Sequence, residues 1–202
     1  MLKIIEAAGW PIWLLIATSV VALGIIIERF LSLRRSLVMP ARASGQAREL
    51  LMQPGSSPDL LGRLARSSPL GQVLAEVLTT LRESPSVRVA AIEDTGRDVA
   101  RQLNRYLPAL STIAAVGPLL GLFGTVVGMI EIFASYTPDG GDPALLARGI
   151  SIALYNTALG IIIAIPALIF HRYFRSRVDH YLHQMEREAT ALSRLGHDRA
   201  AP

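Results

Sequence analysis

Three runs nearly free of charge divide the chain: Trp10 to Ile27, about Ala109 to Ile130, and about Gly149 to Phe170. Each is long enough for a helix to cross a hydrocarbon core of about 30 Å at about 1.5 Å per residue. The first is closed by Glu28-Arg29. A cleaved signal segment competes with a span there. Lys3 and Glu6 make a weak basic head, however, and no small-residue cleavage site precedes Arg34-Arg35. The pattern predicts a retained span, with Trp10 and Trp13 as interfacial anchors.

The polar stretches between the runs predict further helices. Pro40, Pro54-Gly55-Ser56-Ser57-Pro58, Ser68-Pro69 and Ser84-Pro85 cut the insert 31–106 into short pieces. The last piece reads as one helix capped by Ser86 and running straight into span two, with Gly96 a small cost. After span three, Phe174, Val178, Leu182, Met185, Ala189 and Leu192 recur at steps of four, four, three, four and three. That spacing predicts an amphipathic helix continuing the span. The tail Gly196 to Pro202 is expected to fray.

The resulting organisation is 1–30, an outer N-terminus and first span; 31–106, a cytoplasmic helical insert; 107–135, span two; 136–148, an outer loop; 149–171, span three; and 172–202, a cytoplasmic helix and tail. The loop's Pro138-Asp139-Gly140-Gly141-Asp142-Pro143 reads as a tight turn, making spans two and three an antiparallel hairpin. The fold class is an all-α polytopic membrane protein with three transmembrane helices, the second and third extended into the cytoplasm.

Charge sets the orientation. Arg29, Arg34, Arg35 and Arg42 follow span one, Arg97, Arg101 and Arg105 precede span two, and His171, Arg172, Arg175 and Arg177 follow span three. The positive-inside rule puts those segments in the cytoplasm and the N-terminus outside. Of 202 residues, 51% are hydrophobic and 18% charged, a more apolar balance than soluble domains show. The net charge of +4 comes from arginines beside the spans, so topology accounts for it without a nucleic-acid partner. There is no cysteine, hence no disulfide and no thiolate chemistry.

Within the spans, four glycines at 117, 121, 124 and 128 fall on one helix face, beside Pro118. A bare stripe of this kind admits close approach of another helix. Span three repeats the theme through Gly149, Ala153, Gly160, Ala164 and Ala167, with Pro166 on its inner side. Thr125 and Thr157 both lie roughly 5 Å to the outer side of midplane by helical rise. Asn156 adjoins Thr157 and is costly to bury, so it is expected to face a partner or a wet cavity. One threonine alone would be read as bonding to its own helix carbonyl. Two at matched depth beside an asparagine favour a functional cluster.

The centres of spans two and three contain no carboxylate, lysine or histidine. An ion path through them needs an ionisable group from another chain. No enzyme constellation emerges. His180 and His183 share a helix face that reads as solvated, and the glycine-rich stretches lack the lysine and hydroxyl residue of a P-loop. No cofactor or metal is expected.

Gly117-Pro118-Leu119-Leu120-Gly121-Leu122-Phe123-Gly124-Thr125-Val126-Val127-Gly128 resembles the second-span signature of the ExbB/TolQ proteins, relatives of the flagellar stator protein MotA. Gly149 to Gly160, then Ala164-Ile165-Pro166-Ala167, resembles the companion signature of span three. The motif-level likeness covers about 115–175, and the rest matches in layout. The resemblance implies a homopentameric ring around two copies of an ExbD/TolR-like single-span protein, whose membrane aspartate carries protons. It implies a TonB/TolA-like protein as a further partner, a bacterial inner-membrane location, and pore-lining positions for Thr125 and Thr157. Ile152 stands where many members have glutamate, so no step assigned to that glutamate carries over, and Asn156 stands where alanine is common. A non-conducting membrane scaffold and, less strongly, a flagellar-type stator remain the alternatives.

Overall fold

The computed structural model describes residues 10–53, 57–134 and 143–200. The turn expected over 138–142 lies outside the described residues. Eight helices are present among those described, and no strand: α1 (Pro11–Ser32), α2 (Arg35–Val38), α3 (Ala41–Met52), α4 (Pro58–Ser67), α5 (Pro69–Thr79), α6 (Pro85–Leu103), α7 (Leu107–Ala134) and α8 (Pro143–Ala200). Three of them, α1, α7 and α8, are long and apolar enough to cross a membrane. The all-helical, three-span architecture expected from the sequence is the one observed.

The chain divides into two compact units, Met1–Glu28 with Tyr106–Tyr173, and Arg29–Arg105 with Phe174–Pro202. The first holds the membrane-crossing parts. Ile12, Leu15, Ala22 and Ile26 form the buried edge of α1, while Leu107, Leu110 and Gly117, Gly121 and Gly124 form that of α7. The outward faces are apolar as well: Leu23, Leu119, Leu122, Ile162 and Ile169 are all more than half exposed. Such a surface is stable against lipid and unfavourable in water. Pro118 and Pro166 lie inside continuous helices, as neighbouring helices permit in a membrane.

In the second unit, α5 is central, burying Leu70, Val73, Leu74, Ala75 and Val77 and packing on α3, α4 and α6. The prolines act as the sequence predicts. Pro58, Pro69 and Pro85 each occupy the first turn of a helix, where a missing N–H costs nothing. Ser57 accepts from Asp59 N at 3.3 Å and Ser68 from Gly71 N at 3.0 Å, so hydroxyls cap α4 and α5.

Four local expectations are corrected. The N-cap of α6 is Ser84, not Ser86, because Pro85 takes the first helical position. The helix does not run into span two. It ends at Leu103 with Asn104 as C-cap, and Tyr106 adopts φ 66° before α7 begins. Span two is therefore not extended in the way span three is. On α8 the buried stripe is Phe174, Val178, Tyr181, Met185, Ala189 and Leu192, with Leu182 only half-buried. Tyr181 buries its ring because its hydroxyl has partners: it donates to Leu33 O at 3.0 Å and accepts from Arg177 Nε at 3.0 Å. Lastly, α8 continues through Gly196 to Ala200, and a Cβ at Gly196 would lie 2.5 Å from Leu81 Cδ2. At Gly196 the helix packs where fraying was expected, and residues 201–202 of that tail lie outside the described residues.

The α7–α8 hairpin as candidate functional site

The glycine face of α7 is occupied by α8 of the same chain. A Cβ on Gly117 would stand 3.1 Å from Gly160 O and 3.3 Å from Ala164 Cβ. On Gly121 it would stand 2.7 Å from Asn156 O and 2.9 Å from Thr157 Cα. On Gly124 it would meet the Asn156 side chain at 2.8–2.9 Å, and on Gly128 Ala153 Cβ at 3.4 Å. Reciprocally, a Cβ on Gly160 would lie 2.5 Å from Gly117 O and 3.1 Å from Gly121 Cα. The two backbones touch over three turns, with Asn156 rather than another glycine facing Gly124.

Asn156 is 1% exposed, in contact with the bare backbone of α7. The room it needs is the absence of a side chain at Gly124. Thr125 and Thr157 each lie one residue beyond these contact positions, Gly124 and Asn156, and both are half-buried. Thr125 Oγ1 donates to Leu122 O at 2.6 Å, the back-bonded state open to any helical threonine. It also lines a shallow groove on α7 with Val126, Met129, Ile130 and Phe133. That face is turned away from the glycine stripe, so α7 presents one side to α8 and another outward. Ala153 and Ala164 are buried on the hairpin seam, and Ala167 is fully buried one turn further on. The side chain of Ile152 lies outside the described residues.

Two contacts were not anticipated. The Trp10 ring meets Phe123 edge-on at 5.8 Å, so this aromatic packs on α7 while remaining 56% exposed. Gly149 receives the Ile132 side chain, which leaves no room for a Cβ there. Neither was recoverable from spacing within one helix. Among the described residues no three His, Cys, Asp or Glu side chains gather as a metal site. His180 Nε2 bonds Gln184 at 2.9 Å, and His183 Nδ1 lies 3.9 Å from Glu186 on an exposed face.

The hairpin falls inside a family match. Residues 65–187 match the model of the MotA/TolQ/ExbB proton channel family. This chain belongs to that family. Among curated relatives, it is 32% identical over 165 residues to the biopolymer transport protein ExbB1 of Vibrio cholerae, covering 79% of this chain and 71% of the relative. A putative biopolymer transport protein ExbB homolog from Methanothermobacter thermautotrophicus is 28% identical over 188 residues, 92% of this chain and 67% of that one. The Tol-Pal system protein TolQ of Pseudomonas aeruginosa is 33% identical over 141 residues, covering 64% and 58%. The chain is thus a membrane protein of a proton-channel family that includes transport-energising members, as its signatures indicated.

Proposed function

We propose that this protein is the ring-forming proton-channel subunit of an inner-membrane motor. With an ExbD/TolR-like partner, it uses the proton-motive force to energise transport or an envelope process across the periplasm. In this reading the N-terminus and the 136–148 loop are periplasmic, and the unit built on α5 is cytoplasmic. Five copies surround two single-span partner helices, and a TonB/TolA-like protein transmits the work.

The observation that carries the reading is a buried asparagine in a largely apolar hairpin, flanked in sequence by Thr157 and facing the glycine that precedes Thr125. Asn156 is buried against Gly124, with Thr125 and Thr157 next to these positions in sequence, and no carboxylate, lysine or histidine lies in the central part of either span. A hydroxyl both donates and accepts, so it hydrogen-bonds a carboxylate in either protonation state. A carboxylate brought by another chain would find such groups here. The scaffold alternative assigned the glycine stripes to assembly alone. It loses support because the α7 stripe packs on α8 of its own chain.

The test is native mass spectrometry of the complex purified gently from its own membrane. Five copies with two copies of a small single-span protein carrying a membrane aspartate are expected. A ring without such a partner would overturn the motor reading.

A further inference from the structure

Between Leu107 and Ala134, and again between Gly149 and Phe170, Glu131 is the only acidic or basic residue. It is exposed, and among the described residues its carboxylate has no ion-pair or hydrogen-bond partner. It stands six residues beyond Thr125 on α7, about 9 Å further out. That puts it about 14 Å from midplane, just inside the outer edge of a hydrocarbon core of about 30 Å. An unpaired carboxylate at this depth is costly, and ionisable groups so placed mark ion and proton pathways.

The register of the hairpin gives this residue a counterpart. Gly128 faces Ala153, and Ile132 faces Gly149. Position 152 is therefore level with Met129, two residues or about 3 Å of rise from Glu131. At about 100° per residue, Thr125 and Glu131 border the glycine face of α7 from opposite sides. On α8, Thr157 and position 152 likewise flank the contact face of Ala153, Asn156 and Gly160. Because the helices are antiparallel, the two threonines fall on one side of the seam. Glu131 and position 152 fall together on the other. Position 152 is the isoleucine that replaces a glutamate common among the relatives. A carboxylate missing from α8 is thus present across the seam on α7.

We propose that Glu131 is the outer proton-accepting site of this channel, doing from α7 what a carboxylate at position 152 would do from α8. The proposal rests on the proton-channel reading above. A carboxylate oxygen of Glu131 takes a proton from outer water, forming an O–H bond and the neutral acid. Breaking that bond restores the charge and passes the proton inward. Thr125 lies further in and across the seam, so transfer between the two levels runs through water or a group of another chain. The negative charge at the outer end also concentrates protons there. The other ionisable residues toward this end of α8 are Arg148, next to Gly149, and Tyr155, about one turn further in than Ser151. The competing account is that Glu131 serves only as an ion-pair partner of Arg148.

The test is proton flux into proteoliposomes holding the complex purified from its own membrane, with wild type, Glu131→Gln, Glu131→Asp and the double variant Glu131→Gln with Ile152→Glu. Glu131→Gln is expected to lower the flux about tenfold or more, the loss of a proton-transfer group. Its yield, subunit composition and melting temperature should match wild type. Glu131→Asp should keep most of the flux, and Ile152→Glu should return most of it to the Gln variant. Wild-type flux in Glu131→Gln overturns the proposal and leaves the channel reading standing. Loss of flux together with a lowered melting temperature overturns it in favour of the Arg148 pair. A loss that Ile152→Glu does not relieve overturns the shared place across the seam. A wild-type complex that conducts no protons removes the channel reading itself, and this site with it.

Discussion

Arg29 Nη1 donates a hydrogen bond to the carbonyl of Leu103 at 3.2 Å, and the arginine is only 5% exposed. Leu103 is the last residue of α6, where carbonyls lack helical partners and the helix dipole is negative. Next to it, Arg175 Nη1 donates to Asn104 Oδ1 at 3.4 Å while its Nε lies 3.5 Å from Asp179 Oδ2. Two arginines distant in sequence thus converge on the end of α6, immediately before Tyr106 takes its left-handed φ of 66°.

Replacing Arg29 removes a buried charge-assisted bond. Arg29→Leu is expected to cost about 1.5–3 kcal/mol, with Arg29→Lys recovering part of it. Thermal unfolding in detergent, followed by helical signal, would measure this. An Arg29→Leu melting temperature equal to wild type would show that the bond adds nothing net.

These contacts mark the limit of what the sequence conveys. The spans, the proline-cut helices and the glycine face of α7 follow from local patterns, because each is set by residues within one helix. The break at 104–106 meets partners from elsewhere in the chain, Arg29 at Leu103 and Arg175 at Asn104. No glycine marks it, and the nearest local signal is Pro108, which fits the first turn of α7. The spacing points to Leu182 rather than Tyr181 because the hydroxyl's partners are Leu33 and Arg177, the first 148 residues away. The tail from Gly196 reads as a frayed end, yet the missing side chain at Gly196 makes room for Leu81. The direction of the α7 stripe, toward its own chain, was also open until α8 was placed against it.

Tyr181 offers a separate check of the second unit. Tyr181→Phe keeps the ring and removes only the hydroxyl, leaving Leu33 O and Arg177 Nε each short of one bond. The expected destabilisation is about 1–3 kcal/mol, the range for unsatisfied buried groups. A urea or thermal series comparing the variant with wild type decides the point. A change under about 0.5 kcal/mol, typical of surface positions, would mean that water replaces both partners.

The α7 glycines differ in how much they tolerate, and the differences are numerical. A Cβ at Gly121 would lie 2.7 Å from a backbone oxygen and 2.9 Å from a backbone carbon, neither of which moves independently. At Gly128 the nearest atom is Ala153 Cβ at 3.4 Å, an ordinary contact. Gly121→Ala should therefore separate the hairpin at a cost of about 1–3 kcal/mol, whereas Gly128→Ala should be nearly neutral. Yield and melting temperature in detergent report both, and equal behaviour of the two variants would contradict the packing described.

Thr125 and Thr157 bear on the proposed mechanism itself. Thr125 Oγ1 already bonds Leu122 O, so its valine variant loses no tertiary hydrogen bond visible in the chain alone. Valine keeps the shape and removes the hydroxyl, which leaves helix packing as it was. If the hydroxyls serve a visiting carboxylate, Thr125→Val and Thr157→Val should each lower proton-driven coupling with the partner present. A loss of about tenfold corresponds to one hydrogen bond of ~1.4 kcal/mol in the rate-limiting step. Ring yield and melting temperature should stay at wild-type values. Proton flux into proteoliposomes holding the whole complex is the measurement, with Thr→Ser variants expected to restore most of it. Wild-type flux in both valine variants would return these threonines to helix packing and leave Asn156 as the polar group to explain.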